Sequence, residues 1–497
     1  MDNEIYLDYR KPELIRKLYS YINSHRYKFS LMALIVLGFG LRLFLANELP
    51  LWNDEAVIAN VARSFSDNGI PQLPSGKEYW RGFPYILLVS LSERIFGHSD
   101  LATRFPSVLM GTVTIALTYI AGKNFFDKKT GIVAASIITF LPWQLAWDIQ
   151  VRMYVMLQLL YLASIIMIYK TANDIEVRKI ILTVFLISVS VGVHRTAYIL
   201  PFVALVYWAI VSLRNRNTKL FGLLLLPIVL GLTYQVIFPG YSELISIINY
   251  TPQNFSHYVN WITQNNKLIA LLSFLGIFAG ARKNIKGMNL LILAVIPGFI
   301  VYAFLVDYRN IRYIHFIIPF ISLACGAFVI QVTELSSNVL EKISEEYLLI
   351  GSVVCLILFN ISIGYGFDNS VYRPYFDHKS VYNHISDHDS EEDILITQWT
   401  SSATYYYRAP NYSLQGEGYI DIKDKYWYEG RNMYSGAEFI FNASKLEQVI
   451  SNSSGWLVMR ETGYMRKPSS IKYVINGGMR EVEGFKHMRV WRWNNTE

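Results

Sequence analysis

Leu51–Arg104 holds the stretch on which the fold turns. It opens LWNDEAVIANVARSFSDNGIP (51–71) and closes YWRGFPYILLVSLSERIFGHSDLATR (79–104). The first long apolar run, 29–46, precedes it, so Asp54 and Glu55 fall a few residues past its end. Ile58, Val61, Ala62 and Phe65 recur at helical spacing, which predicts an amphipathic helix over 55–66. A cationic patch at Lys77 and Arg81 follows, and then the run FPYILLVSLSERIFG. That run has only about ten continuous apolar residues, where a span needs about 20. Its path decides the topology. If it crosses, every later Lys/Arg cluster falls outside. If it lies along the outer interface, every cluster falls inside, as the positive-inside bias requires. The second path is the one adopted.

Composition agrees with a membrane chain. Of 497 residues, 53% are hydrophobic and 17% charged, too apolar for a soluble protein. The 35 Tyr and 11 Trp suit a chain that meets lipid interfaces many times. Net charge is +7, but the cations sit in short clusters between apolar runs, so no nucleic-acid tract is implied. Cys325 and Cys355 both lie in apolar runs and read as core residues, with no disulfide framework or zinc site. No small-residue cleavage site closes the first apolar run, which reads as a retained anchor.

Three parts follow. Residues 1–28, with Arg10, Lys11, Arg16, Lys17, Arg26 and Lys28, are expected to be a cytoplasmic N-terminal segment. Residues 29–366 are a transmembrane domain with its first external loop at 47–102. About eleven spans are expected, at 29–46, 103–122, 130–147, 153–169, 180–193, 196–213, 220–238, 268–281, 288–306, 313–333 and 347–366. Residues 367–497 are polar, with strand-like DILITQW, GWLVMR and HMRVWRW and helix-like SATYYYR and SKLEQVIS, a small external α/β domain. The expectation is an α-helical polytopic protein of the cell membrane, with its N-terminus cytoplasmic and its C-terminal domain external. Asn-X-Ser/Thr triplets at Asn249, Asn254, Asn411, Asn442, Asn452 and Asn494 all fall on the outer side of that map.

The residues able to carry chemistry cluster on the same side. Asp54 has two readings: with Asn53 it can cap the following helix, or it can act as a base on an acceptor hydroxyl. Both can hold, because a helix N-terminus keeps a carboxylate ionised. Lys77, Arg81, Arg152, His194, Arg195, Arg309 and Arg312 are cations on the outer side, against the positive-inside bias. Singly each is an interfacial anchor that snorkels. Together they suit a phosphate, which arginine binds at two points. Tyr154 is either an aromatic-belt residue or a sugar contact, and Asp148 either a second-loop carboxylate or an interfacial charge. No HExxH, CxxC, Walker A or GxSxG motif occurs.

These motifs resemble those of the GT-C membrane glycosyltransferases. The resemblance is to the protein O-mannosyltransferase and aminoarabinose-transferase-like group. It rests on the D-E pair Asp54–Glu55, on the F-G-x-S-x-x-x-x-R-x-P-S run from Phe96 to Ser107, and on the R-x-Y of Arg152–Tyr154. It covers about residues 30–170, with a looser match at Arg312–Tyr313 and Pro319. It implies the GT-C multi-span fold with interfacial helices in the first loop, in agreement with the path chosen for 84–97. It implies a polyprenyl or dolichyl phosphate sugar as donor, Asp54 as catalytic base and Arg81 as a phosphate-binding cation. The W-W-D-Y-G signature of oligosaccharyltransferases is absent, which argues against en bloc glycan transfer.

The expected function is therefore inverting transfer of a sugar, mannose or another hexose, to an acceptor hydroxyl at the outer membrane face. Partners would be the lipid-phosphate sugar, membrane lipid and an acceptor protein or lipid-linked glycan, with no nucleic acid. Arg81, Arg152, Arg309 and Arg312 would hold the donor phosphate. Lys77, Asp148, Tyr154, His194 and Arg195 would contact substrate. Glu55 would orient the acceptor or a divalent ion, and metal dependence stays open. A transporter or flippase for lipid-linked sugars is the rival. It predicts charges near mid-membrane and inverted repeats; Arg42 is such a charge. A scaffold that only displays the C-terminal domain is the third reading.

Overall fold

The computed structural model describes residues 21, 24–216, 253–265, 267–306, 310–339, 343–364, 376–415 and 426–494. The chain begins with α1 (Arg26–Glu48), then α2 (Asn53–Asn68), α3 (Phe83–Phe96), α4 (Asp100–Phe125), α5 (Lys128–Phe140), α6 (Pro142–Asp148), α7 (Tyr154–Asn173), α8 (Val177–Val193) and α9 (Ile199–Asn215). It continues with α10 (Gln253–Asn265), α11 (Lys267–Lys283), α12 (Ile285–Ile300), α13 (Ile318–Val339) and α14 (Glu345–Gly364). Helices thus occupy every expected span among the described residues; the one at 220–238 lies outside them. Among the described residues six helices are long and apolar enough to cross a membrane, and eight if two bent pairs each count as one. One bend, of 65°, separates α5 from α6, where Pro142 starts the second piece. The other, of 102°, lies between α10 and α11. α8, at 17 residues, is among the expected spans that fall short on that measure.

α3 has 14 residues, or about 21 Å at 1.5 Å per residue, against about 30 Å of hydrocarbon. Tyr85, Ile86 and Val89 are buried on one side, while Leu87, Leu91 and Ile95 are exposed on the other. A short helix with one apolar side packed and one open fits the interfacial path.

The C-terminal part is a six-stranded sheet of β1 (Ile394–Thr397), β2 (Tyr412–Leu414), β3 (Glu438–Ile440), β4 (Gly455–Arg460), β5 (Arg480–Val482) and β6 (Met488–Trp493). The spatial order is β3-β2-β1-β4-β6-β5. The first four run parallel; β6 is antiparallel to both neighbours. Successive β4 side chains go to opposite faces. Trp456 and Val458 meet Val381, Tyr382 and Ile385 of α15 (His378–His388), while Leu457 and Met459 meet Leu446 and Ile475 of α17 (Ala443–Ser451) and α18 (Ser469–Gly478). A further helix, α16 (Thr400–Tyr406), leaves β1 and docks on α2. There Asn60 Nδ2 donates to the Ser401 carbonyl at 3.0 Å, Arg63 to the Tyr405 carbonyl at 3.3 Å, and the Leu51 amide to Tyr406 Oη at 2.5 Å. Asn411 is tied into the sheet by accepting from the Leu395 amide, and Asn254 is buried and donates to the Val306 carbonyl, so these two triplets hold structural side chains.

Candidate active site

The two neighbouring carboxylates part company. α2 starts at Asn53 with Trp52 as its N-cap residue, so neither Asn53 nor Asp54 caps it. Glu55 does the end-closing instead, its Oε2 accepting from the Trp52 amide at 3.1 Å. The same carboxylate accepts from Arg104 Nε at 3.0 Å and Nη2 at 2.9 Å, and from the Val151 amide at 2.9 Å. Both side chains of the Glu55–Arg104 pair are 0% exposed. Arg104 also donates to the carbonyls of Ala46, Leu49 and Pro50, which ties down the end of α1. The expectation that Glu55 works beside Asp54 gives way to a structural role: its lone pairs are committed inside the protein.

Asp54, about 100° further round the helix, faces cations. Its Oδ2 accepts from Arg312 Nη1 at 2.9 Å, with Arg152 Nη2 at 3.8 Å. Its backbone carbonyl accepts from Arg152 Nη1 at 2.9 Å. Its side chain keeps 32% exposure. Burial raises the pKa of this carboxyl, but Arg152, Arg312 and Arg81 outweigh burial and leave it below the ordinary value. Asp54 is therefore ionised at neutral pH.

Local structure brings the three arginines together. Arg152 sits in the turn between α6 and α7, held by Glu55 through Val151. Arg81 precedes Gly82, whose φ is +72°, and a Cβ there would meet Met153 Sδ at 2.6 Å. Glycine thus lets the first loop lie directly on the Arg152 turn. Arg312 opens the 3-10 turn Ile311–Ile317, where Asn310 Oδ1 accepts from its amide at 3.2 Å. Tyr154 lies beneath, with the Arg152 and Arg312 guanidinium carbons 5.8 and 5.7 Å from its ring centre. His194 packs edge-on to Tyr154 and stacked with Tyr313. Nε of Arg152, Nε of Arg312 and Nε2 of His194 are buried without a hydrogen-bond partner. Open donors converging beside an ionised carboxylate suit an anionic group with a hydroxyl next to it.

Other expected residues are placed differently. Asp148 is wholly buried and paired with Arg42 at 2.7 Å; Gln144 Nε2 donates to its other oxygen at 2.7 Å. It is neither a substrate contact nor an interfacial charge but half of an internal ion pair. Gly111 leaves room for it, since a Cβ would come 2.4 Å from Asp148 Cγ. Lys77 lies 5.9 Å from the ring centre of Tyr428, towards the C-terminal domain. Arg195 is half-buried in the 3-10 turn Arg195–Tyr198. Arg309 lies outside the described residues. Sequence reasoning passed over Arg104 and Arg460 as site-forming residues. Arg104 had a signal, its place in the F-G-x-S-x-x-x-x-R-x-P-S run; Arg460 had none. Among the described residues no three His, Cys, Asp or Glu side chains gather as a metal-binding group.

The fold has counterparts in solved structures. ArnT from Cupriavidus metallidurans in the apo state superposes with a TM-score of 0.64, over 95% of this chain and 99% of that one, at 12% identity. The fold is GT-C, the fold of the membrane glycosyltransferases. The Archaeoglobus fulgidus oligosaccharyltransferase in the apo form also matches, with a TM-score of 0.58 over 94% of this chain and 75% of that one, at 11% identity. A second ArnT structure, with undecaprenyl phosphate bound, matches as well as the apo form, at a TM-score of 0.64. A family model described as dolichyl-phosphate-mannose-protein mannosyltransferase matches residues 83–235, which begins after the Asp54–Glu55 pair. No curated protein sequence matches the chain. The GT-C fold and the small C-terminal sheet domain agree with the fold expected from the sequence.

Proposed function

We propose that this protein is an inverting glycosyltransferase that moves a sugar, mannose or another hexose, from a polyprenyl or dolichyl phosphate to an acceptor hydroxyl. The acceptor would be carried by a protein or a lipid-linked glycan. The observation that carries the reading is Asp54 held between Arg312 and Arg152, with Arg81 beside them and unpaired donors around. ArnT bound to undecaprenyl phosphate and the family description favour a lipid-phosphate donor. The basic N-terminal segment and the shortness of α3 support a site on the outer face.

The step balances as a direct displacement. Asp54 takes the proton of the acceptor hydroxyl, the oxygen bonds to the anomeric carbon, and the bond from that carbon to the phosphate oxygen breaks. Its electron pair stays on the lipid phosphate, whose growing charge Arg81, Arg152 and Arg312 stabilise. Asp54 is the carboxylate the site presents, Glu55 being closed off by Arg104. Among the described residues no second open carboxylate stands beside Asp54, which supports single displacement with inversion. Internal charge does not favour a transport path: Arg42 and Asp148 neutralise each other within hydrogen-bonding distance. The test is incubation of the purified protein with lipid-phosphate sugars and an acceptor-containing membrane extract. Release of lipid phosphate coupled to a new glycosidic bond is expected. Movement of the intact lipid-linked sugar across vesicles without release would overturn the reading.

A further inference from the structure

The C-terminal domain brings a cation of its own to this place. Arg460 ends β4, which runs parallel to β1; β1 exits through Trp399 into α16. Open parallel sheets bind ligands at the carboxyl ends of their strands. Here those ends are held against α2 by the Asn60–Ser401 and Leu51–Tyr406 hydrogen bonds. The Arg460 guanidinium carbon is 3.0 Å from the ring centre of Trp399 and 3.6 Å from that of Phe376. Two aromatic rings thus lie against the guanidinium. Its Nε and Nη2 are shielded from water and have no hydrogen-bond partner. Gln398 Oε1, Ser401 Oγ and Ser402 Oγ, just past the end of β1, are likewise buried and unpaired. Buried polar groups normally find partners, so such a set at one sheet edge points to an absent ligand.

Charge says what kind. Asp54 is the carboxylate whose field reaches Arg460, yet it is already held by Arg152 and Arg312. Among the described residues Arg81, Arg152 and Arg312 thus surround one open carboxylate, with Arg460 within reach of its field, because Arg104 cancels Glu55. A lipid-phosphate sugar is a phosphodiester and brings a single negative charge, which leaves a cationic surplus at the site. Within the transferase reading above, we propose that Arg460 is an acceptor-binding residue supplied by the C-terminal domain. Its guanidinium edge holds an anionic oxygen, phosphate or carboxylate, on the acceptor whose hydroxyl faces Asp54.

Full-length protein in lipid nanodiscs, saturated with undecaprenyl phosphate, is titrated by calorimetry with glucosamine 1-phosphate, glucuronate and N-acetylglucosamine. The wild type is expected to bind at least one anion and not the neutral sugar, and the anion that binds tells phosphate from carboxylate. Arg460→Gln should weaken anion binding by about tenfold or more, with undecaprenyl phosphate binding unchanged. Arg460→Lys, which keeps the charge, should weaken it less and carries the comparison if the glutamine variant does not fold. Equal anion affinity in wild type and variant, anion binding absent from the wild type, or a parallel loss of undecaprenyl phosphate overturns the proposal. Failure of the wild type to bind undecaprenyl phosphate at all would instead remove the donor-site reading, and this inference with it.

Discussion

Asp54 and Glu55 are consecutive residues that belong to two different regions. Glu55 lies in a closed region with Arg104, below which Arg42 and Asp148 form a second closed pair. Every one of these four side chains is 0% exposed. Asp54 lies in an open region, partly exposed, among arginines that still have free donors. In the closed region each charge meets its counter-charge and the backbone groups it needs, so it specifies geometry. In the open region the described cations outnumber the described carboxylates, an excess that binding an anion would relieve. The closed region supports the open one: Glu55 fixes the Val151 amide, and the next residue is Arg152.

The sharpest way to break this comparison is to exchange the two carboxylates' fates. Asp54→Asn keeps shape and removes basicity. It should cut transfer by roughly 10²–10⁴, with folding and undecaprenyl phosphate binding retained. Near-normal turnover of this variant would show that the carboxylate only balances charge. Glu55→Ala should do the reverse. It strands Arg104 as an uncompensated buried charge, which costs about 3–5 kcal/mol. The variant should be lost from the folded fraction, as read by detergent-exchange thermal unfolding. A stable Glu55→Ala protein that is merely slow would move Glu55 back into the chemistry.

A smaller effect tests the open region's cations. Arg81 has no hydrogen bond or ion pair among the described residues, so its removal breaks no such described contact and takes away only its field on Asp54. Arg81→Ala should weaken undecaprenyl phosphate binding by about 1.5–3 kcal/mol, roughly tenfold or more. Arg214→Ala, at the far end of α9, should leave it unchanged. Equal affinities would take Arg81 out of the phosphate site.

The legible and illegible parts of this contrast have physical reasons. The positions of the apolar helices, the shortness of α3 and the strands β1, β4 and β6 were readable because apolar length and alternation are local properties. Asp54 was readable from its place just past the first span. Which way Glu55 points was not, since one step along a helix turns a side chain by about 100° and no neighbour in sequence tells where the core lies. Arg42 stood out as a lone charge in an apolar run, but its partner is 106 residues away. Asp148 was read as a loop carboxylate in contact with substrate or as an interfacial charge because the bend at Pro142, which carries α6 into the protein, does not show in hydropathy. Arg460 ends a strand like many others; only tertiary packing on Trp399 and Phe376 sets it apart.

The weakest expected effect extends the comparison into the C-terminal domain. Asp393 is a closed carboxylate like Glu55, but at the rim of a sheet. It pairs with Arg492 at 2.6 Å and accepts from Ser454 Oγ at 2.5 Å and from the Ser390 amide at 2.9 Å. Burial raises its pKa, but these partners outweigh burial and bring it down from 3.8 to about 2. A depressed carboxyl stabilises the fold above its unfolded pKa and loses that contribution as pH falls through the folded value. The window here therefore runs from about pH 4 down to about pH 2, and the contribution above it is about 1–2 kcal/mol. Asp393→Asn should speed hydrogen exchange at the Ile394–Thr397 amides by up to tenfold or so at pH 7. The ratio to wild type should shrink towards one as pH drops through the window. A ratio that stays constant with pH would mean that Asp393 acts through its hydrogen bonds alone, as a neutral side chain could, and that closed carboxylates in this protein need not be charged.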